Sequence, residues 1–62
     1  MIIYRLERIC NGRIYDVRYY EALTALKKGM VWHGLPVTNP KLIDMGYTHK
    51  VWKMTGEDIT NE

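Results

Sequence analysis

Hydrophobic and polar positions alternate through residues 4–20, YRLERICNGRIYDVRYY, and an Asn-Gly pair interrupts the run near its middle. A period of two places successive side chains on opposite faces of a strand. Asn11-Gly12 suits a type I′ turn, whose two central residues both need positive φ. The stretch therefore predicts a β-hairpin. A two-residue turn sets its register: Cys10 opposes Arg13, Ile9 opposes Ile14, Arg8 opposes Tyr15, Glu7 opposes Asp16 and Leu6 opposes Val17. One face then carries Tyr4, Leu6, Arg8, Tyr15, Val17 and Tyr19 and is the expected core. The other carries Arg5, Glu7, Asp16 and Arg18 as a solvated checkerboard of charges.

The period then changes. Tyr19, Leu23, Leu26 and Met30 follow helical spacing, with Ala22 in the same stripe, and predict a helix over 19–28. Lys27 and Lys28 complement the dipole at its end, and Gly29 is placed to terminate it. The Val31-Trp32-His33 run after that glycine predicts an extended segment. Further on, Asn39 as N-cap, Pro40 at the first helical position and Gly46 as a stop predict one or two helical turns. Residues 47–54, YTHKVWKM, alternate as a strand, and either of its faces offers apolar residues to a core. These elements give an α+β fold with a three- or four-stranded, mostly antiparallel sheet on one helix. The expected domain is 1–54, and the acidic segment 55–62 is expected to fray apart from Ile59. Short sheets leave edge strands open, and such an edge offers a homodimer contact.

Size tightens the picture. Sixty-two residues bury only about 60% of the surface of the unfolded chain, so the core must be small. Cys10 is the single cysteine, which excludes an intramolecular disulfide. One cysteine and two separated histidines do not make a structural zinc set, so no metal and no cofactor are expected. The opening MIIYRLERIC carries charges at positions 5, 7 and 8, unlike the apolar run of a signal peptide. No stretch is long enough to span a membrane, and a cytoplasmic location is the expectation.

Charge leaves two classes of partner open. The net charge is +2, but residues 55–62 hold three acids and no base. The remaining 54 residues hold nine bases against four acids, a net of +5. That balance keeps a nucleic-acid partner in view, through Arg8, Arg13, Lys50 and Lys53 with interleaved tyrosines. These bases fall on separate elements, however, whereas a binder needs them along one stripe.

Catalysis has little to stand on. His33, His49, Cys10, Asp16 and Asp44 form no recognisable catalytic spacing, and one helix on a small sheet encloses little volume. A non-enzymatic binding protein is the expected class. Tryptophan, tyrosine, methionine and arginine are enriched at protein interfaces, and the chain has two, five, four and four of them. Small chains of this kind often act stoichiometrically on one partner, as regulators or inhibitors of the phage and mobile-element accessory kind. The nominated contact residues are Trp32 and His33, with Tyr47, Trp52 and Arg8 as companions. In an extended segment Trp32 and His33 point to opposite faces, so both cannot enter one core. The stretch EALTALKKGMVW, residues 21–32, also resembles the helix-glycine-strand opening of a family of small phage proteins that sequester signalling nucleotides. The basic residue and tryptophan-glycine spacing that follow in that family have no match here, and membership is not inferred.

Overall fold

A computed structural model describes residues 2–60 and contains six elements in chain order. They are β1 (Tyr4–Cys10), β2 (Arg13–Tyr20), α1 (Leu23–Trp32), α2 (Pro40–Asp44), β3 (Tyr47–Lys53) and β4 (Glu57–Asp58). The strands form one antiparallel sheet in the order β2-β1-β3-β4. The α+β class and the N-terminal hairpin agree with the sequence pattern. Asn11 and Gly12 both adopt positive φ, 52° and 80°, as the turn requires.

The hairpin register departs from the simple two-residue expectation. Cys10 and Ile9 face Arg13 and Ile14, but Arg8 then faces Asp16, Glu7 faces Val17 and Leu6 faces Arg18. The shift between Arg8 and Ile9 is a β-bulge that leaves Tyr15 as the extra residue. A one-residue slip exchanges the faces of everything beyond it. Arg18 and Asp16 therefore join the side of Leu6 and Arg8, while Val17 and Tyr19 move to the opposite side. The charged checkerboard does not form.

The core lies between α1 and the sheet face that carries Leu6 and Val51, which oppose each other on β1 and β3. Leu6, Leu26, Leu35, Val51 and Ile59 are buried there, with Tyr4, Tyr20, Met30 and Val37 packed around them. This settles β3: Val51 faces the helix and Trp52 faces away. The predicted start of the helix was four residues early, because Tyr20 still pairs with Tyr4 as the last residue of β2. Tyr19 belongs to the sheet, and Leu23, at the first helical position, is 37% exposed rather than core. The buried stripe is Leu26 with Met30.

The far end of the helix is also corrected. Residues 31–32 are helical, not extended, and Gly29 lies inside α1. Its lack of a side chain serves packing: a Cβ there would meet the Tyr20 hydroxyl, with ring carbons Cζ and Cε1 at 2.6 and 2.9 Å. The helix stops at Gly34, with φ +71°. Gly34 N–H donates to Val31 C=O at 3.0 Å and Leu35 N–H donates to Met30 C=O at 2.8 Å. These two bonds form a Schellman motif, and the Met30–Leu35 pairing that accompanies it joins the core. Gly29→Ala is expected to lower stability by about 1–3 kcal/mol through overpacking, although alanine favours helices elsewhere. A thermal midpoint at or above wild type would show that the Tyr20 ring yields without cost.

The short helix follows its sequence signals: Pro40 is its first residue and the Asn39 side chain accepts from Lys41 N–H at 3.0 Å. Gly46 C=O receives the Asn11 N–H at 3.0 Å, tying the hairpin turn to the entry of β3. The segment expected to fray is instead attached. Lys53 and Trp52 pair with Glu57 and Asp58, Ile59 N–H donates to Val51 C=O at 2.8 Å, and Ile59 is buried. Burial of Ile59 anchors the return strand; residues 61–62 lie outside the described residues.

Candidate functional site

Trp32 is the last residue of α1 and is 86% exposed; Val31 beside it is 77% exposed. Helical geometry accounts for this. With 3.6 residues per turn, Trp32 lies about 200° around the axis from Met30, on the side away from the sheet. Lys28 stands one turn before Trp32 and Lys27 one turn before Val31, and both lysines are exposed. The result is an indole and a valine presented at the tip of a helix, with two cations along its flank. His33 caps the helix, donating its N–H to Gly29 C=O at 3.0 Å, and is half-buried. The tip is held in place by the Gly34 motif and by Leu35 in the core.

The other nominated residues do not gather around Trp32. Arg8 and Tyr47 come together on the helix side of the sheet, near the hairpin turn. Arg8 Nε donates to Asp16 Oδ2 at 3.0 Å, and its guanidinium lies 5.2 Å from the Tyr15 ring centroid. Tyr15 in turn meets Tyr47 edge-to-face at 6.0 Å. The bulge makes this cluster, since it turns both Tyr15 and Asp16 towards Arg8. The Arg8 hydrogen bond is the first reason the Asp16 carboxyl is held below its ordinary range, and Arg18, at 3.4 Å, adds to it. Arg8 is thus neutralised within the fold.

Trp52 occupies the opposite face, together with buried Glu7. The Trp52 Nε1–H donates to Glu7 Oε1 at 2.9 Å, and Arg5 reaches Glu7 Oε2 at 3.0 Å. Lys50 Nζ sits 5.5 Å from the Trp52 ring. Trp52 spends its polar handle on an internal partner and is half-buried, so it serves the sheet more than a free surface. Among the nucleic-acid candidates, Lys50 lies on this face, Lys53 and Arg8 on the other, and Arg13 beside the hairpin turn.

Two open-sided clefts flank β3. One, of about 270 Å³, is lined by Arg5, Glu7, Trp52, Lys53, Met54 and Gly56. The other, of about 420 Å³, runs between Val37, Ile43 and His49. Among the described residues no three His, Cys, Asp or Glu side chains stand close enough to share a metal ion. No described helix is long and apolar enough to cross a membrane.

His49 faces Arg8 across the ladder, and its shielded Nε2 has no hydrogen-bond partner. Burial pushes its pKa below the ordinary 6.5. The folded form therefore favours neutral imidazole, and its contribution is complete above the unfolded value and lost as pH falls through the folded one. The urea midpoint should fall between pH 8 and pH 5.5 by more in wild type than in His49→Gln. An identical fall in both proteins would remove His49 from the explanation.

No protein-family model, curated protein or solved structure matches the chain.

Trp32 with Val31 beside it stands out in the sequence, but on an extended segment; its helical setting and Lys28 one turn before it do not. The signal was present: Leu26 and Met30 are spaced i, i+4 across Gly29, so the helical period already ran past the glycine taken as its end.

Proposed function

We propose that the protein is a non-enzymatic binding protein that acts stoichiometrically on a protein partner, as a regulator or inhibitor, with Trp32 as its principal anchor. The observation that carries this reading is the 86% exposure of Trp32 on a helix end that is itself fixed by the Gly34 cap. An indole so placed contributes almost nothing to the core, yet it is the side chain most often found at the energetic centre of interfaces. Holding it on a capped helix lowers the ordering cost on binding. Val31 widens the apolar contact, and Lys27 and Lys28 favour a partner pocket with an acidic rim.

The nucleic-acid alternative draws its support from the basic body of the chain. Against it stand the pairing of Arg8 with Asp16 and the division of Lys50 and Lys53 between opposite sheet faces. Capture from the native cell extract, with wild type and Trp32→Ala as baits and with and without nuclease, tests the choice. A protein retained by wild type after nuclease and lost with Trp32→Ala supports the reading. Recovery abolished by nuclease favours nucleic acid.

A further inference from the structure

The two edges of the sheet are finished differently. The outer side of β3 is paired with β4 at Trp52 and Lys53, and α2 packs against β3, whereas no strand pairs with the outer side of β2, whose described neighbours are β1, α1 and, through Tyr15, Tyr47. β2 is eight residues long and rich in β-branched and aromatic residues. Its first half is distorted by the bulge at Tyr15, a common protection of sheet edges. From Asp16 to Tyr20 the pairing with β1 is uninterrupted, and nothing covers the outer side.

The backbone pattern states which groups are free. Ile3 C=O accepts from Met54 N–H and Asn11 N–H donates to Gly46 C=O, so odd-numbered positions along β1 bond towards β3. Bonded and non-bonded pairs alternate in an antiparallel ladder. Tyr4–Tyr20, Leu6–Arg18 and Arg8–Asp16 are then the bonded pairs with β2. Val17 and Tyr19 are left with N–H and C=O groups directed outwards.

We infer that this edge pairs with β2 of a second copy, antiparallel about a two-fold axis at Arg18, so that Val17 of each chain opposes Tyr19 of the other. Each such pair exchanges both of its N–H···O bonds, using all the outward groups just named. On the open face, half-buried Val17 meets Tyr19, which is 58% exposed, in an aromatic–β-branched pair on either side of the axis. On the helix side, Arg18 meets its symmetry mate, and each lies diagonal to Asp16 of the other copy. Asp16 already holds Arg18 of its own chain at 3.4 Å, so each arginine meets its symmetry mate with a carboxylate on either side of the axis. Other registers fit less well. An axis at Val17 brings Tyr19 onto the bulged Tyr15, and an axis at Tyr19 runs off the strand after Tyr20. The pairing joins the two sheets into one, with both α1 helices on the same side. It is independent of the Trp32 reading, because the last turn of α1 takes no part.

The full-length chain carrying Arg18→Cys and Cys10→Ser tests the register. A non-bonded antiparallel pair holds its Cα atoms about 4.5 Å apart, within the range of roughly 4.4–6.8 Å that a disulfide spans. Mild oxidation should convert this variant to a covalent dimer much faster than a Thr24→Cys, Cys10→Ser control on the exposed side of α1. In light scattering, wild type should double its mass as concentration rises. Tyr19→Pro removes one outward N–H, which an edge strand tolerates, and should stay monomeric with an unchanged circular dichroism spectrum. A wild type that stays monomeric at every concentration, or cross-linking no faster than the control, would overturn the proposal. So would a folded Tyr19→Pro that still dimerises; if that variant does not fold, the cross-linking rates decide.

Discussion

Leu6→Ala is expected to leave the chain largely unfolded at physiological temperature. Leu6 is 0% exposed and sits on β1, which is hydrogen-bonded on both sides, by β2 and by β3. Its side chain opposes Val51 and forms one core with Leu26, Leu35 and Ile59. Removing a buried leucine side chain costs about 2–5 kcal/mol, depending on how far the surroundings collapse. A domain of this length has roughly 3–9 kcal/mol to lose, at 0.05–0.15 kcal/mol per residue. Few buried side chains share the work, so no neighbouring cluster can compensate. Leu26→Ala, from the helix side of the same contact, should behave alike. Leu42→Ala on α2, 39% exposed, should change stability by only about 0.5 kcal/mol. Thermal and urea unfolding followed by circular dichroism compares the three. A cooperative Leu6→Ala transition close to that of wild type would mean that the core is centred elsewhere.

Leu6 and Leu26 were legible in the sequence as core, and the failures elsewhere have physical causes. The hairpin turn was readable because only a few residue types accept positive φ, and Asn11-Gly12 puts two of them together. The short helix was readable because Asn39 and Pro40 each have one strong local preference. The bulge was not. It arises from how Arg8, Tyr15 and Asp16 settle against one another, and the period-two pattern of either register looks equally acceptable before that choice. The slip then carried Val17 and Tyr19 off the expected core face, which no local propensity could announce. At the end of α1 the mistake lay between two glycines. Gly29 is required by the approach of Tyr20, a contact from another element, whereas Gly34 has the apolar neighbours Met30 and Leu35 that mark a true helix stop. The attachment of β4 rests on one apolar residue, Ile59, reaching the core from an otherwise polar segment. The candidate site was legible as a residue and not as a surface: Trp32 stood out by type, but its exposure depends on the helix continuing three residues past Gly29.

Trp32→Ala carries the other large effect, and it falls on binding rather than on folding. Because the indole is almost wholly in solvent, its removal should change stability by only about 0.5 kcal/mol. The same change should weaken association with a protein partner by on the order of 2 kcal/mol, roughly thirtyfold in Kd. Raising salt should have a modest effect, acting through Lys27 and Lys28 at the rim. A nucleic-acid partner would respond differently, with log affinity falling against log salt at about −0.9 for each phosphate neutralised. Under that mechanism, paired changes at Lys50 and Lys53 or at Arg8 and Arg13 would outweigh Trp32→Ala. The decisive measurement is a titration of wild type and Trp32→Ala against the captured partner at two salt concentrations. The variant should lose about 2 kcal/mol of binding, largely independent of salt. Salt-insensitive binding that Trp32→Ala retains in full would contradict it.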